Sequence, residues 1–348
     1  MSAAPWQLTD VADRTSDALA AIFATEIAMW SDLDPAIEMP LSDLAEFISQ
    51  GGKRIRPAYC HWGFVAGGGD PSGDGSLAAC CAVEMLQAFA LIHDDVMDGS
   101  PTRRGSPTVW ARYIEPHRAG KGPGEDRRFG EAAAILVGDI AMVMADRQMS
   151  AATEDERRIW DILRTELNFG QFLDVIGTAK GNVSVEGART IMRNKTAGYT
   201  IVRPLQLGAA AAGAPDLLPW LDAHGMPLGV AFQLRDDMLG AFGDTAKTGK
   251  PVGDDLREAK PTVLLARARS LASDEQLMVL DRVGPDMTTD EVAGIQQVML
   301  DTGAVDACED EIDQLLDQAT AALDMIPDVN GSRDALMALA DFVVSRDA

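Results

Sequence analysis

The sequence predicts an all-α fold, on three observations. Alanine- and leucine-rich segments place apolar residues every three or four positions along the chain, the spacing of one helix face. Alternating β-branched runs, the mark of half-buried strands, are scarce. Breakers such as Gly67-Gly68-Gly69-Asp70-Pro71 and Gly120-Lys121-Gly122-Pro123-Gly124 fall between helical patterns, as exposed loops should.

In chain order, helices are expected over 8–30, 41–50 and 54–67, the last ended by the first breaker. The next, 76–98, is an apolar run closing in aspartates, and the second breaker separates it from 130–150. Helical spacing continues over 155–178, 185–212 and 216–241, the last again closing in aspartates. Further helices follow over 253–272, 289–302, 304–325 and 332–346.

The chain has 348 residues and is 47% hydrophobic, enough to bury a sizeable core. Neither breaker is long enough to link independent domains, so a single domain over 1–348 is expected. Asp and Glu number 54 against 30 Lys and Arg, a net charge of -24, which argues against nucleic acid and anionic membrane surfaces as partners. No run of roughly 18 consecutive apolar residues stands out, so no membrane insertion is expected. Residues 1–10 lack a basic segment followed by an apolar one, and a cytoplasmic protein is expected. Cys60, Cys80, Cys81 and Cys308 fit neither a disulfide framework nor zinc spacing and read as reduced core residues.

The run Leu91-Ile92-His93-Asp94-Asp95-Val96-Met97-Asp98 closes an apolar helix. Helical period puts Asp94 and Asp98 on one face with Asp95 beside them. Clustered like charges cost stability unless a cation sits among them, and all-oxygen donors suit a hard ion such as magnesium, which also binds substrate phosphates. Taken alone, the motif equally fits a solvated helix end, and His93 reads as a structural group rather than a metal ligand. A second cluster, Gln233-Leu234-Arg235-Asp236-Asp237-Met238-Leu239-Gly240, ends another apolar helix, and two such ends are able to face each other. Gly240 stands where the first motif has Asp98. Asp244 is a candidate substitute, Asp254 and Asp255 are further carboxylates nearby, and the glycines at 240 and 243 weaken the helix there.

Positive charge, scarce overall, concentrates in Gly51-Gly52-Lys53-Arg54-Ile55-Arg56-Pro57, Thr102-Arg103-Arg104-Gly105, Lys195-Thr196 and Thr248-Gly249-Lys250-Pro251. Lys53 and Arg56 share a helical face, and guanidinium forks match phosphate oxygens. A substrate with two phosphates needs several cationic donors, and a departing diphosphate needs metal ions to absorb its charge. The break at Gly99-Ser100-Pro101 lets the chain fold back and set arginines beside the first acidic motif.

In this order GGKRIRP, LIHDDVMD followed by TRRG, KTAGYT, and FQLRDD with TGKPVGDD resemble the trans-isoprenyl diphosphate synthase (polyprenyl synthetase) family, over residues 45–265. The resemblance implies a single-domain antiparallel helical bundle around a deep central cavity, a homodimer, and the two acidic motifs on opposite walls. It implies three magnesium ions bridging those walls to an allylic diphosphate. Asp94, Asp98 and Asp236 would be direct ligands, with Asp95 and Asp237 in support. Arg103, Lys195 and Lys250 would contact the allylic diphosphate, and Lys260 is a further candidate contact. Isopentenyl diphosphate would be held without metal by Lys53, Arg56, Gln87 and Arg104, with Gly52 letting the loop approach. Diphosphate departure, attack by the isopentenyl double bond and loss of a proton to the released diphosphate would follow. Thr196 and Gln233, with the carbonyl of Lys195, would stabilise the allylic cation.

The resemblance also implies that residues just before the first acidic motif bound the growing tail. Phe89 is the candidate floor, Ala90 beside it is small, and Met85 and Cys81 upstream would leave room. Geranylgeranyl diphosphate is the expected product, with farnesyl diphosphate as the alternative. A class I terpene cyclase would need no second diphosphate site such as Lys53, Arg56 and Arg104, and a non-catalytic regulatory subunit would have lost more motif residues than Gly240.

Overall fold

Leucine, alanine and methionine at helical spacing give the chain long helices whose apolar faces must be covered by other helices. The computed structural model describes residues 4–243 and 253–345. Its helices are α1 (Trp6–Trp30), α2 (Glu38–Ser49), α3 (Ile55–Ala66), α4 (Leu77–Met97), α5 (Val109–Arg112), α6 (Ile114–Ala119), α7 (Asp126–Gln148), α8 (Glu154–Lys180), α9 (Val185–Met192), α10 (Arg203–Ala211) and α11 (Leu218–Phe242). Beyond them come α12 (Asp254–Arg257), α13 (Val263–Leu271), α14 (Asp274–Leu280), α15 (Thr289–Asp301), α16 (Ala304–Ala322) and α17 (Ser332–Val344). A short antiparallel ribbon, β1 (Thr102–Arg103) with β2 (Ser106–Pro107), follows α4. The fold is all-α, as expected.

Two apolar clusters make up the core. In one, α4 contributes Val83, Met85, Leu86 and Ile92, which pack with Val137 and Met144 of α7 and Leu163 of α8. In the other, α11 contributes Leu228, Phe232, Leu234 and Met238, together with Tyr59 of α3 and Ile312 of α16. The helices that end in aspartates are thus anchored in different clusters, and their acidic ends meet where the clusters adjoin. By length and composition α4 would also pass as a membrane span, with a mean hydropathy of 1.4, but 56% of that window is buried inside the protein. Glu84 and Gln87 interrupt its apolar run.

Three departures from the expected helices have physical causes. The helix expected over 185–212 is interrupted by a π-helical segment, Arg193–Val202, between α9 and α10. Pro204 has no N–H to offer the carbonyl four residues back and its ring crowds that carbonyl, and wider turns before it relieve both problems. Gly170 of α8 lets this segment come close, since a Cβ there would lie 2.4 Å from the Lys195 nitrogen. The helix expected over 253–272 divides into α12 and α13, because Pro261 cannot continue it. Thr262 then caps α13 by accepting from the Leu265 N–H. Helix α14 was not expected, although Ser273 and Gln276 form its capping box. Against the weakening expected at Gly240, α11 runs through it to Phe242 and turns extended at Gly243.

Candidate active site

The end of α4, the π segment, the end of α11 and the stretch from α12 to α13 enclose a cavity of about 430 Å³. Its carboxylates are Asp94, Asp98, Asp174, Asp236, Asp237, Asp254, Asp255 and Glu258, against the cations Arg103, Lys195 and Lys260. This excess of negative charge in a confined space calls for further cations. Both acidic motifs therefore border one space, together with Thr196 and Gln233.

The first wall is held by a network. Lys195 Nζ lies 2.6 Å from Asp174 and 3.3 Å from Asp94, and Gln171 donates to Asp94 Oδ1 at 2.8 Å. Burial works to raise the Asp94 pKa, but Lys195, Lys260 and Arg103 outweigh it and hold the carboxyl below its usual range. Asp98 is pushed up to about 6 by burial and by the Asp94 charge. The chain folds back after Pro101 as expected, and Arg103 grips Asp95 with Nε at 2.9 Å and Nη2 at 2.7 Å, its Nη2 standing 3.8 Å from Asp94. Asp95 is buried beneath Arg103, which lines the cavity.

The second wall is built differently. Asp237 is buried and accepts from Gln233 Nε2 at 2.8 Å. Burial, with Asp255 and Asp236 adding to it, pushes Asp237 up to about 8 despite that bond. A Cβ at Gly240 would fall 1.8 Å from Asp255 Oδ2. The space a third aspartate would fill in this motif is taken by the Asp255 carboxylate, delivered by α12. Lys260 lies 2.6 Å from Glu258 and 3.4 Å from Asp255. Burial lowers its pKa, but Asp255, Glu258 and Asp98 more than reverse that.

The remaining expected residues form a neighbouring group outside this cavity. Arg104, with φ 51°, donates to the carbonyl of Gly51. Arg56 donates to Thr200 Oγ1 at 2.8 Å, lies 4.3 Å over the Tyr199 ring, and has a buried Nε without a partner. Tyr199 donates in turn to Gln87 Oε1 at 2.6 Å. Lys53 Nζ stands 5.6 Å over Phe342, and a Cβ on Gly52 would lie 3.8 Å from Arg104 Nη2. Burial and the neighbouring Arg103 lower the Arg104 pKa, the signature of crowded cations.

The residues expected to bound a growing tail lie upstream of this cavity along α4. Met85 and Cys81, expected to leave room for a tail, are buried in the core on α4, which packs against α7. Phe89 and Ala90 do not line the cavity; Phe89 is half-buried and packs on His93, with ring centroids 4.6 Å apart. His93 contacts the carbonyl of Ile135 at 3.0 Å, the structural role expected of it. Lys250 and Asp244 lie outside the described residues. Gln171, Asp174 and Glu258 were missed. The first two share a face of α8 at a spacing of three, but nothing in the sequence sets them apart from other polar surface pairs.

Among the described residues no three His, Cys, Asp or Glu side chains converge into a ready-made metal cage. A donor set made only of oxygens and divided between two walls fits magnesium, which takes one or two carboxylates and completes its shell with water and phosphate oxygens.

The polyprenyl synthetase family matches residues 39–299. The chain is 33% identical over 315 residues to the geranylgeranyl diphosphate synthase of Mycobacterium tuberculosis, covering 88% of this chain and 83% of that one. To the geranylfarnesyl diphosphate synthase of Aeropyrum pernix it is 31% identical over 310 residues, 86% and 92% of the two chains. The crystal structure of geranylgeranyl pyrophosphate synthase from Corynebacterium glutamicum, complexed with isoprenyl diphosphate and magnesium, superposes with a TM-score of 0.92 at 38% identity, covering 97% of this chain and 99% of that one.

Proposed function

We propose substrates, metal and product for this chain, which belongs to the polyprenyl synthetase family and is a trans-prenyltransferase. It joins isopentenyl diphosphate head-to-tail to an allylic diphosphate and makes geranylgeranyl diphosphate. The observation that carries this reading is the sharing of one cavity by Asp94, Asp98 and Asp236 with Arg103 and Lys195. A diphosphate lying there meets carboxylates through metal and cations directly. Asp94, Asp98 and Asp236 would hold magnesium, in three ions with diphosphate bound, and the metal would supply charge neutralisation for the departing diphosphate.

The side chains are prepared for their parts. Arg103 is aimed by Asp95 and Lys195 by Asp174, so each presents its charge without reorganising. Lys260, with Lys250, contacts the same diphosphate. Gln233 is fixed by Asp237 and, with Thr196 and the Lys195 carbonyl, faces the allylic cation. Lys53, Arg56, Gln87, Arg104 and the Gly52 backbone hold isopentenyl diphosphate, a reading supported by the crowding of cations around Arg104.

For product length, Phe89 is the first large ring along α4 beyond the cavity that is not locked in the core. The packed Met85 behind it supports a tail of moderate length. The chain acts as one synthase domain and as a homodimer. The dimer reading rests on apolar side chains left in solvent on α7 and α8, among them Leu136, Phe169 and Phe172, each 63% exposed. Labelled isopentenyl diphosphate incubated with dimethylallyl, geranyl or farnesyl diphosphate, with and without magnesium, tests the whole reading. A magnesium-dependent C20 product is expected; a C15 end point would assign farnesyl diphosphate instead, and no condensation would refute it.

A further inference from the structure

In the basic loop before α3, Arg54 behaves unlike its neighbours. It is 6% exposed, and its backbone is left-handed at φ 50°, ψ 35°, which a residue with a Cβ adopts only when held there. Three contacts hold it. Its Nη1 donates to Glu84 Oε1 of α4 at 2.5 Å, Nη2 donates to the Ile48 carbonyl at the end of α2 at 2.6 Å, and Nε lies 3.4 Å from Ser16 Oγ of α1. The guanidinium thus ties the loop to three helices and has little left to offer a ligand.

What this anchor fixes is the loop carrying the cation group. Gly51 and Gly52 enter the turn at φ 122° and 138°, Lys53 sits between them and Arg54, and the Gly51 carbonyl receives Arg104. A Cβ on Gly52 would lie 3.3 Å from Arg54 Nη1 and 3.6 Å from Glu84 Oε1, so the loop backbone lies directly on the ion pair. Glu84 also opposes the fall in the Arg104 pKa that burial and the adjoining guanidinium groups cause.

We propose that Arg54, clamped by Glu84, is a positioning residue that sets the loop and Arg104 for isopentenyl diphosphate without touching that substrate. This rests on the substrate assignment above. Loosening the clamp misplaces Lys53 and Arg104 but leaves Arg103, Lys195 and the acidic walls where they are.

Arg54→Gly and Arg54→Lys test it. Glycine accepts the left-handed turn without strain but removes the clamp, and lysine keeps the charge but cannot fork between Glu84 and Ile48. In both, the KM for isopentenyl diphosphate should rise about tenfold or more while that for the allylic substrate stays within about twofold, with the circular dichroism spectrum unchanged. Equal shifts in both constants, or wild-type behaviour of Arg54→Gly, would overturn the proposal. Should Arg54→Gly fail to fold, the split in Arg54→Lys decides alone. A wild-type enzyme that consumed no isopentenyl diphosphate would instead overturn the substrate assignment.

Discussion

The acidic walls at the ends of α4 and α11 begin from similar sequences and reach their negative charge by different routes. At the first, three aspartates come from one helix end and two of them are tied by cations: Lys195 on Asp94 and Arg103 on Asp95. At the second, one aspartate of the motif is replaced by glycine, and Asp255 from a separate helix moves into the space. The first wall keeps Asp94 ionised by pairing it. The second leaves Asp237 with its carboxyl pushed up to about 8. A shared motif therefore does not fix how a wall is charged; the partners packed against it do.

The comparison breaks most sharply when one wall is disabled. Asp94→Ala and Asp236→Ala should each cut turnover by about a thousandfold, since each removes stabilisation that exists only as the diphosphate departs. Steady-state assays with excess magnesium check this, and a loss at one wall alone would show that the other is dispensable.

Gly240→Ala separates the two designs further. In most helices this change stabilises by about 1 kcal/mol, but here the Cβ collides with Asp255 and must displace it. Activity should fall by roughly tenfold to a hundredfold, with a raised magnesium requirement visible in a metal titration. Unchanged magnesium dependence would remove Asp255 from the second wall.

The protons on the two walls should also differ. A divalent cation favours the ionised form of carboxyl groups that bind it or lie beside it, so groups whose pKa is raised release protons when magnesium arrives, and magnesium affinity falls as pH falls. Asp98, near 6, and Asp237, near 8, place that dependence between about pH 6 and 8. Calorimetry in buffers of different ionisation enthalpy should show proton release at pH 7 that shrinks in Asp237→Asn. Release unaffected by that change would locate the proton elsewhere.

The mildest expected effect lies beyond the first wall. Phe89→Ala should lengthen the product by one or two isoprene units with turnover within about threefold. Chromatography of the products checks this, and an unchanged distribution would remove Phe89 as the stop.

The long helices and both acidic ends were legible because periodicity and clustered charge are local properties. So was the fold-back that brings Arg103 to Asp95, since the break after Asp98 is written in Gly99-Ser100-Pro101. The filling of Gly240 by Asp255 was not, because it depends on where α12 packs after Gly253 turns the chain left-handed. Gln171 and Asp174 escaped notice for the same reason: they matter only because α8 lies close to the π segment that carries Lys195. Pro204 and Pro261 are visible in the sequence, and both interrupt helices that shape the cavity.

Both walls are proposed to hold one diphosphate through shared metal. Electron paramagnetic resonance of manganese(II) bound together with inorganic diphosphate tests it most directly. Spin-coupled ions are expected in the wild type and should disappear in both Asp94→Asn and Asp236→Asn. Isolated, uncoupled ions in the wild type, with each variant still binding its remaining share, would contradict the account.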